Sequence, residues 1–419
     1  MERVILHSDL NNFYASVECL YRPEIRNRAV AVCGDPVARH GIVLAKNYLA
    51  KESGIQTGEV IWQAQQKCPE LVVVPPNYPL YLKFSRLARS IYASYTDQVE
   101  AFGLDEAWLD VTGSTHIFGS GIEMADEIRE RIKLELGVSA SVGVSYNKIF
   151  AKLGSDMKKP DATTIISQDN FKQTAWPLPA SDLLYVGRAT CRKFARWGIS
   201  TIGDIAESDP LVLKARLGKW GEVLWSFANG YDRSPVVPMG EESIIKSVGN
   251  SITTPRDLEN NEDVLVIIYA LSESVAARLR EHGFKCRTVH IHVRDKNLFT
   301  FGVQGKLLRP GNISNDIAEK AMALFRSHYS WAHPIRSIGV RGCDLIAADS
   351  QEQLSLFTDE EKRIKQEKIE ATLDTLRCRF GHFSVQRAVL LKDRELGSIN
   401  PKEEHIIHPL AFFKGGKLP

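Results

Sequence analysis

The chain has 419 residues, 44% hydrophobic and 25% charged, with a formal net charge of +2. That length leaves room for about three domains, and the composition is that of a globular chain with packed cores, not of a disordered or fibrous one. A balance so near neutral assigns no polyanion or membrane partner by itself, and the longest apolar run, "VLVIIYAL" at 264–271, is too short to span a bilayer.

The opening "MERVILHSD" lacks the apolar core of a signal peptide, so a cytoplasmic protein is expected. Val4, Ile5 and Leu6 read as a buried strand that stops at Asp9, followed by two amides and two aromatics in "HSDLNNFYASVE". Two readings of Asp9 stand side by side. It caps a helix starting near Asn12, with Glu18 then facing solvent, or it is a site carboxylate at a strand end. At 99–111, "VEAFGLDEAWLDV" reads as strand, turn at Gly103 and strand, with Asp105 and Glu106 adjacent at the turn. They are either solvated there or, between apolar segments, in need of a compensating cation. If the first strand lies beside this hairpin, Asp9, Asp105 and Glu106 form a three-carboxylate set of hard oxygen ligands suited to Mg²⁺. Two such ions activate an attacking hydroxyl and neutralise a pyrophosphate leaving group.

Further along, "MADEIRERIKLELG" predicts a helix with Ile128, Ile132, Leu134 and Leu136 as its apolar stripe and Gly137 as its stop. Residues 1–168 thus mix strands and helices, an α+β domain. Two prolines in "WPLPASD" break the chain, short helices follow to about 232, and "YDRSPVVPMGEES" has the composition of a linker. From 246 to 343 the order strand, long helix, strand, strand, helix, strand is a split βαβ pattern. In "RTVHIHVR", Val289, Ile291 and Val293 alternate with Thr288, His290, His292 and Arg294, which leaves one sheet face for solvent or a ligand. Residues 246–345 hold 14 Lys and Arg against 10 Asp and Glu, a modest surplus that suits either a solvated face or a polyanion. No Walker loop and no GxGxxG appears. The seven cysteines contain no CxxC pair and read as buried thiols, and His405 and His408 read as a surface pair, not a metal site.

Four ordered motifs, "HSDLNNFYASVE", "GIVLAKNYLAKESGI", "GLDEAWLDVTGS" and "GVSYNKIFAKLGSDMKKPD", resemble those of the Y-family DNA polymerases, the translesion enzymes. The resemblance runs from residue 1 to about 345. It implies an α+β right-hand fold: palm and fingers over 1–168 (fingers about 11–76), a helical thumb over 169–232, a linker over 233–245, a split βαβ little finger over 246–345 and a tail over 346–419. It also implies a bacterial-type, template-directed DNA polymerase of low fidelity and without proofreading, acting opposite damaged DNA. By position, Asp9, Asp105, Glu106 and the carbonyl of Leu10 resemble the ligands of two Mg²⁺ ions, with Asp105 and Glu106 catalytic. Asn11 stands where many relatives have an acid, which tells against metal binding there. Tyr14 resembles the steric gate against a ribose 2′-hydroxyl, and Phe13 either shares that pocket or packs beneath it. Tyr48, Lys51 and Lys159 resemble the groups that hold the triphosphate; Lys51 replaces the usual Arg, a point charge in place of a bidentate fork. Ile42 and Leu44 fall in the roof over the nascent pair.

"LLYVGRATCRKFARWGISTIGDIAE" resembles a helix-hairpin-helix, with Gly187 and Arg188 facing a DNA phosphate and Tyr185 at the usual first glycine; a purely structural hairpin is the alternative. His290, His292 and Arg294 are the DNA-facing residues expected of the little finger. Gln353, Leu354, Leu356 and Phe357 resemble a sliding-clamp peptide, or else pack on the helix that follows. The expected partners are primer-template DNA, deoxynucleoside triphosphates and the replication clamp, with no membrane, and the protein is expected to act as a monomer. Two other readings remain, a non-catalytic DNA and clamp scaffold and a nucleotidyl cyclase.

Overall fold

The structure is a computed structural model, and it describes residues 3–36, 39, 41–241, 245–350 and 360–402. The first of two compact units contains residues 3–34 and 42–241, and the second 245–350 and 360–402. The first unit carries eight strands: β1 (Ile5–Leu10), β2 (Val30–Cys33), β3 (Val43–Lys46), β4 (Val72–Val74), β5 (Val99–Ala101), β6 (Glu106–Asp110), β7 (Ala140–Ser145) and β8 (Thr163–Ile166). Five make one sheet in the order β5-β6-β1-β7-β8, and β3-β2-β4 make another. All six residues of β1 are buried, because the strand is central and packed on both faces. Its neighbours β6 and β7 run antiparallel to it, with Asp9 opposite both Glu106 and Ser141, and His7 opposite Gly143.

The helix Lys148–Met157 packs on β1, β7 and β8. Gly143 permits the close approach: a Cβ there would lie 1.9 Å from the Ala151 carbonyl oxygen and 2.6 Å from the Ser155 nitrogen. The helix expected near 124–137 spans Gly121–Arg131 and continues as a wider turn over Ile132–Leu136, ended by Gly137 at φ 70°. Ile128, Ile132 and Leu136 are buried as expected, but Leu134 is 81% exposed, because the wider turn rotates it off the apolar stripe.

Helices Arg188–Arg196, Ile202–Glu207, Pro210–Leu217 and Lys219–Ala228 share a core, including Phe194, Ile202, Leu213 and Leu224, with Phe150 and Leu153. The stretch with the composition of a linker is pinned over 234–239. Arg3 donates to the Ser234 carbonyl, Val236 is buried, the Val237 N–H donates to Glu100 and the Met239 N–H to the Asp97 carbonyl.

The second unit is a four-stranded antiparallel sheet of β9 (Ser247–Leu258), β10 (Phe284–Asp295), β11 (Thr300–Gly311) and β12 (Ile335–Ala347) in the order β11-β10-β12-β9. Helices Asn261–Glu281 and Ser314–His328 cover one face, with Val264, Ile268, Leu271, Val275 and Leu279 all buried. The boundary expected at 345 falls inside β12. The tail, whose sequence reads as one charged helix and an irregular end, belongs to this unit over 360–402: the helix Glu360–Phe380 and the segment after it join it, with Leu390, Leu396 and Ile399 in its core. Buried Glu273 and Glu370 there pair with Arg377, Arg387 and Arg280. Paired in this way, the two acids carry no uncompensated buried charge.

Candidate active site

The carboxylates converge through strand register. Asp9 and Glu106 sit directly opposite on β1 and β6, so both side chains project from the same face. The Leu10 N–H donates to the Asp105 carbonyl at 3.0 Å, which ties the hairpin turn to the end of β1. Asp9 therefore does not cap the following helix. The capping residue of Phe13–Tyr21 is Asn12, at φ 50°, with no side-chain cap bond, and Glu18 is buried, accepting from Tyr81 Oη at 2.7 Å.

Asp9, Asp105 and Glu106 are not a ready-made metal cage: among the described residues no three His, Cys, Asp or Glu side chains are gathered so that they could hold a metal ion. Two lysines supply positive charge between the acids instead. Lys152 Nζ lies 2.9 Å from Glu106 Oε2, 3.0 Å from Asp156 Oδ2 and 3.3 Å from Asp9 Oδ2. Lys159 Nζ is 2.8 Å from both Asp9 Oδ2 and Asp156 Oδ1. Burial opposes the charge of each lysine, yet the carboxylates outweigh it and hold both pKa values up. Burial raises the Asp9 carboxyl above its ordinary value. Burial also opposes the charge of Glu106, but His7 and Lys152 overcome it and keep that pKa at about 2.

Asp105 is pushed up to about 7 by burial, then by the charges of Asp9 and Glu106, and among the described residues no ion pair includes it. A hard oxygen set with one acid short of positive charge is what a divalent cation would satisfy, so the donors fit such an ion once the lysines withdraw.

Asn11 is buried. Its Nδ2 donates to Ser141, and its Oδ1 accepts from Ser139 Oγ and the Asp161 N–H. Tyr14 stacks on Tyr81 with centroids 4.2 Å apart and planes 9° from parallel, and burial and then Asp105 raise its phenol pKa. Phe13 is buried and also touches Tyr81. Tyr48 begins the helix Tyr48–Glu52, capped by Asn47, and its phenol pKa is raised mainly by burial, with Lys159 and Asp9 near enough to be felt. Lys51 is exposed, with Nζ 5.8 Å from the Tyr48 ring centroid. Ile42 is exposed and Leu44 half-buried.

The other expected contacts stand apart. Gly187 and Arg188 are exposed at the start of Arg188–Arg196. Tyr185, where the hairpin usually has glycine, sits at φ 70°, the left-handed conformation that glycine takes most easily, and its ring meets Trp220 at 5.4 Å. In the second unit, His290 lies over Gly302, where a Cβ would come within 2.8 Å of its Nε2. Arg341 is paired with His290 across β12, and Arg294 is exposed. Burial and then the neighbouring Arg charges lower both His290 and His292, which leaves the arginines as the positive charge of that face near neutral pH. Gln353, Leu354, Leu356 and Phe357 lie outside the described residues, as do His405 and His408.

Sequence reasoning missed His7, Lys152 and Asp156. The spacing of the last two, i and i+4 on one helix with Lys159 three further on, was the available signal, but it reads equally well as a surface ion pair.

The fold is that of a right-hand polymerase: a Y-family DNA polymerase chimera matches with a TM-score of 0.71 at 23% identity, over 82% of this chain and 99% of that one. The impB/mucB/samB family matches residues 8–156 and its C-terminal domain 245–356. A protein named DNA polymerase IV from Acetivibrio thermocellus is 56% identical over 399 residues, 95% of this chain and 100% of its own length. DNA polymerase IV 1 of Bacillus subtilis is 37% identical over 396 residues, 94% of each chain. The chain belongs to the impB/mucB/samB family and is a bacterial Y-family DNA polymerase. Among the described residues no helix is long and apolar enough to cross a membrane.

Proposed function

We propose that this Y-family enzyme, a DNA-directed DNA polymerase of the translesion class with the low fidelity general to its family, extends a primer 3′-hydroxyl through two Mg²⁺ ions held by Asp9, Asp105, Glu106 and the Leu10 carbonyl. The register that sets Asp9 opposite Glu106, with Asp105 tied to Leu10, is the observation that carries this reading. Bound divalent cations supply Lewis-acid activation of the hydroxyl and neutralise the departing pyrophosphate. The chain's own residues do the rest. Lys159 exchanges Asp9 and Asp156 for a triphosphate oxygen, Tyr48 and Lys51 complete the phosphate cradle, and the Tyr14 ring, held flat against Tyr81, blocks a 2′-hydroxyl.

The polymerase regions are palm and fingers over 1–168, thumb over 169–232 and little finger from 246, with Gly187, Arg188, His290, His292 and Arg294 meeting DNA phosphates. Gln353, Leu354, Leu356 and Phe357 tether the enzyme to the sliding clamp, and it works as a cytoplasmic monomer. Primer extension by the purified chain on undamaged and lesion-bearing templates, with Mg²⁺ and then with chelator, tests the proposal. Extension that persists in chelator, or that stops at every lesion, contradicts it.

A further inference from the structure

His7 lies beside this site, and nothing in nucleotidyl transfer as described above uses it. Its imidazole is fully buried, with the Trp108 ring edge-on at 5.2 Å. Nδ1 is 2.8 Å from Ser155 Oγ. Nε2 lies 3.3 Å from Glu106 Oε2, and among the described residues neither of these buried atoms has a well-aligned hydrogen bond, to the other included. The close approach allowed by Gly143, opposite His7 on β7, brings Ser155 down onto the ring. The single Ser155 proton has two acceptors within 2.8 Å, the Lys152 carbonyl and Nδ1; because a carboxylate faces Nε2, the neutral tautomer that avoids opposing lone pairs carries its proton on Nε2 and accepts the Ser155 proton at Nδ1. The ring proton then sits on Nε2, on the side of the ring that faces Glu106. Lys152 reaches the same oxygen at 2.9 Å, but it divides its donors among Asp9, Glu106 and Asp156, whereas the ring has one target and no room to turn.

We propose that His7, oriented by Ser155, is a positioning residue that fixes the Glu106 carboxylate for a divalent cation. The inference rests on the reading of Glu106 as a ligand. An outer group of this kind, which orients a ligand without touching the ion, changes metal affinity by about 10- to 100-fold when it is removed.

The test is Mn²⁺ binding, followed by electron paramagnetic resonance of the free ion. It uses the full chain with a dideoxy-terminated primer-template and the matched nucleotide, so that no turnover occurs. His7→Leu should weaken binding by about 10-fold or more. His7→Gln, whose amide N–H reaches the same place, should recover most of it. Ser155→Ala should fall between, and it serves as the test on its own if His7→Leu does not fold. Wild-type Mn²⁺ affinity in His7→Leu, or in Ser155→Ala where only that variant folds, overturns the proposal, as does a His7→Gln chain as impaired as His7→Leu. Glu106→Ala separates the two layers. If it binds Mn²⁺ like the wild type, the ligand reading fails and the inference with it; if it loses the ion while the His7 variants do not, only the inference fails.

Discussion

Asp105→Asn should stabilise the protein while removing its activity, and the gain should grow with pH. The folded chain holds the Asp105 proton to about pH 7, against an ordinary value of 3.8, because burial and the Asp9 and Glu106 charges disfavour the anion. With the folded pKa raised, this group's contribution to stability is complete below about pH 4 and is lost as pH climbs through 7. At about 1.4 kcal/mol per unit, the roughly three units separating the two values correspond to at most about 4 kcal/mol at pH 8. Asp105 is only partly covered, so water screens it and the realised figure is on the order of 2 kcal/mol. Asparagine cannot ionise and avoids that loss. In chelator, the variant should melt about 4–8 °C above the wild type at pH 8, with under half that gap at pH 5, where less of the penalty has developed. Thermal melts at the two pH values decide the matter. A gap that stays the same at both, or a variant less stable at pH 8, refutes the electrostatic account of Asp105.

Tyr14→Ala should raise ribonucleotide relative to deoxynucleotide incorporation, read by competition between the two substrates; unchanged sugar discrimination would remove the ring held against Tyr81 from that role. Replacing Leu356 and Phe357 together by Ala should abolish the clamp's effect on product length and leave clamp-free extension unchanged, because a tether acts only through local concentration. Leu396→Ala, at a fully buried position, should destabilise the second unit by about 2–5 kcal/mol in denaturant titration; a loss below about 1 kcal/mol would mean that residues 360–402 add little to its core.

Much of this was legible in the sequence because the signals were local. The alternation around Val289, Ile291 and Val293 marks a half-buried strand, and the five apolar residues three or four apart from Val264 to Leu279 match the helix found there. Asp105 and Glu106 betrayed themselves as acids among apolar neighbours. The residues gathered around Glu106 and Asp9 did not: Lys152 and Asp156 look like a surface helix pair, and His7 like one more buried member of an apolar strand, until the register of β1 against β6 and β7 brings them together. The packing of residues 360–402 was equally hidden, since Leu390, Leu396 and Ile399 follow no helical or strand period and gain meaning only against the helices they cover. Leu134 shows the opposite failure, a periodic residue that a widened helical turn carries into solvent.

The central claim is that chemistry resides in the carboxylates at the ends of β1 and β6 while DNA is held elsewhere. Single-turnover primer extension by Asp105→Ala and Glu106→Ala, each paired with a DNA-binding titration, tests it most directly. Nucleotide addition should disappear in both variants while DNA affinity stays within about twofold of the wild type, because phosphate contacts away from the metal site dominate that affinity. Turnover retained in either variant, or DNA binding lost together with activity, would contradict the account.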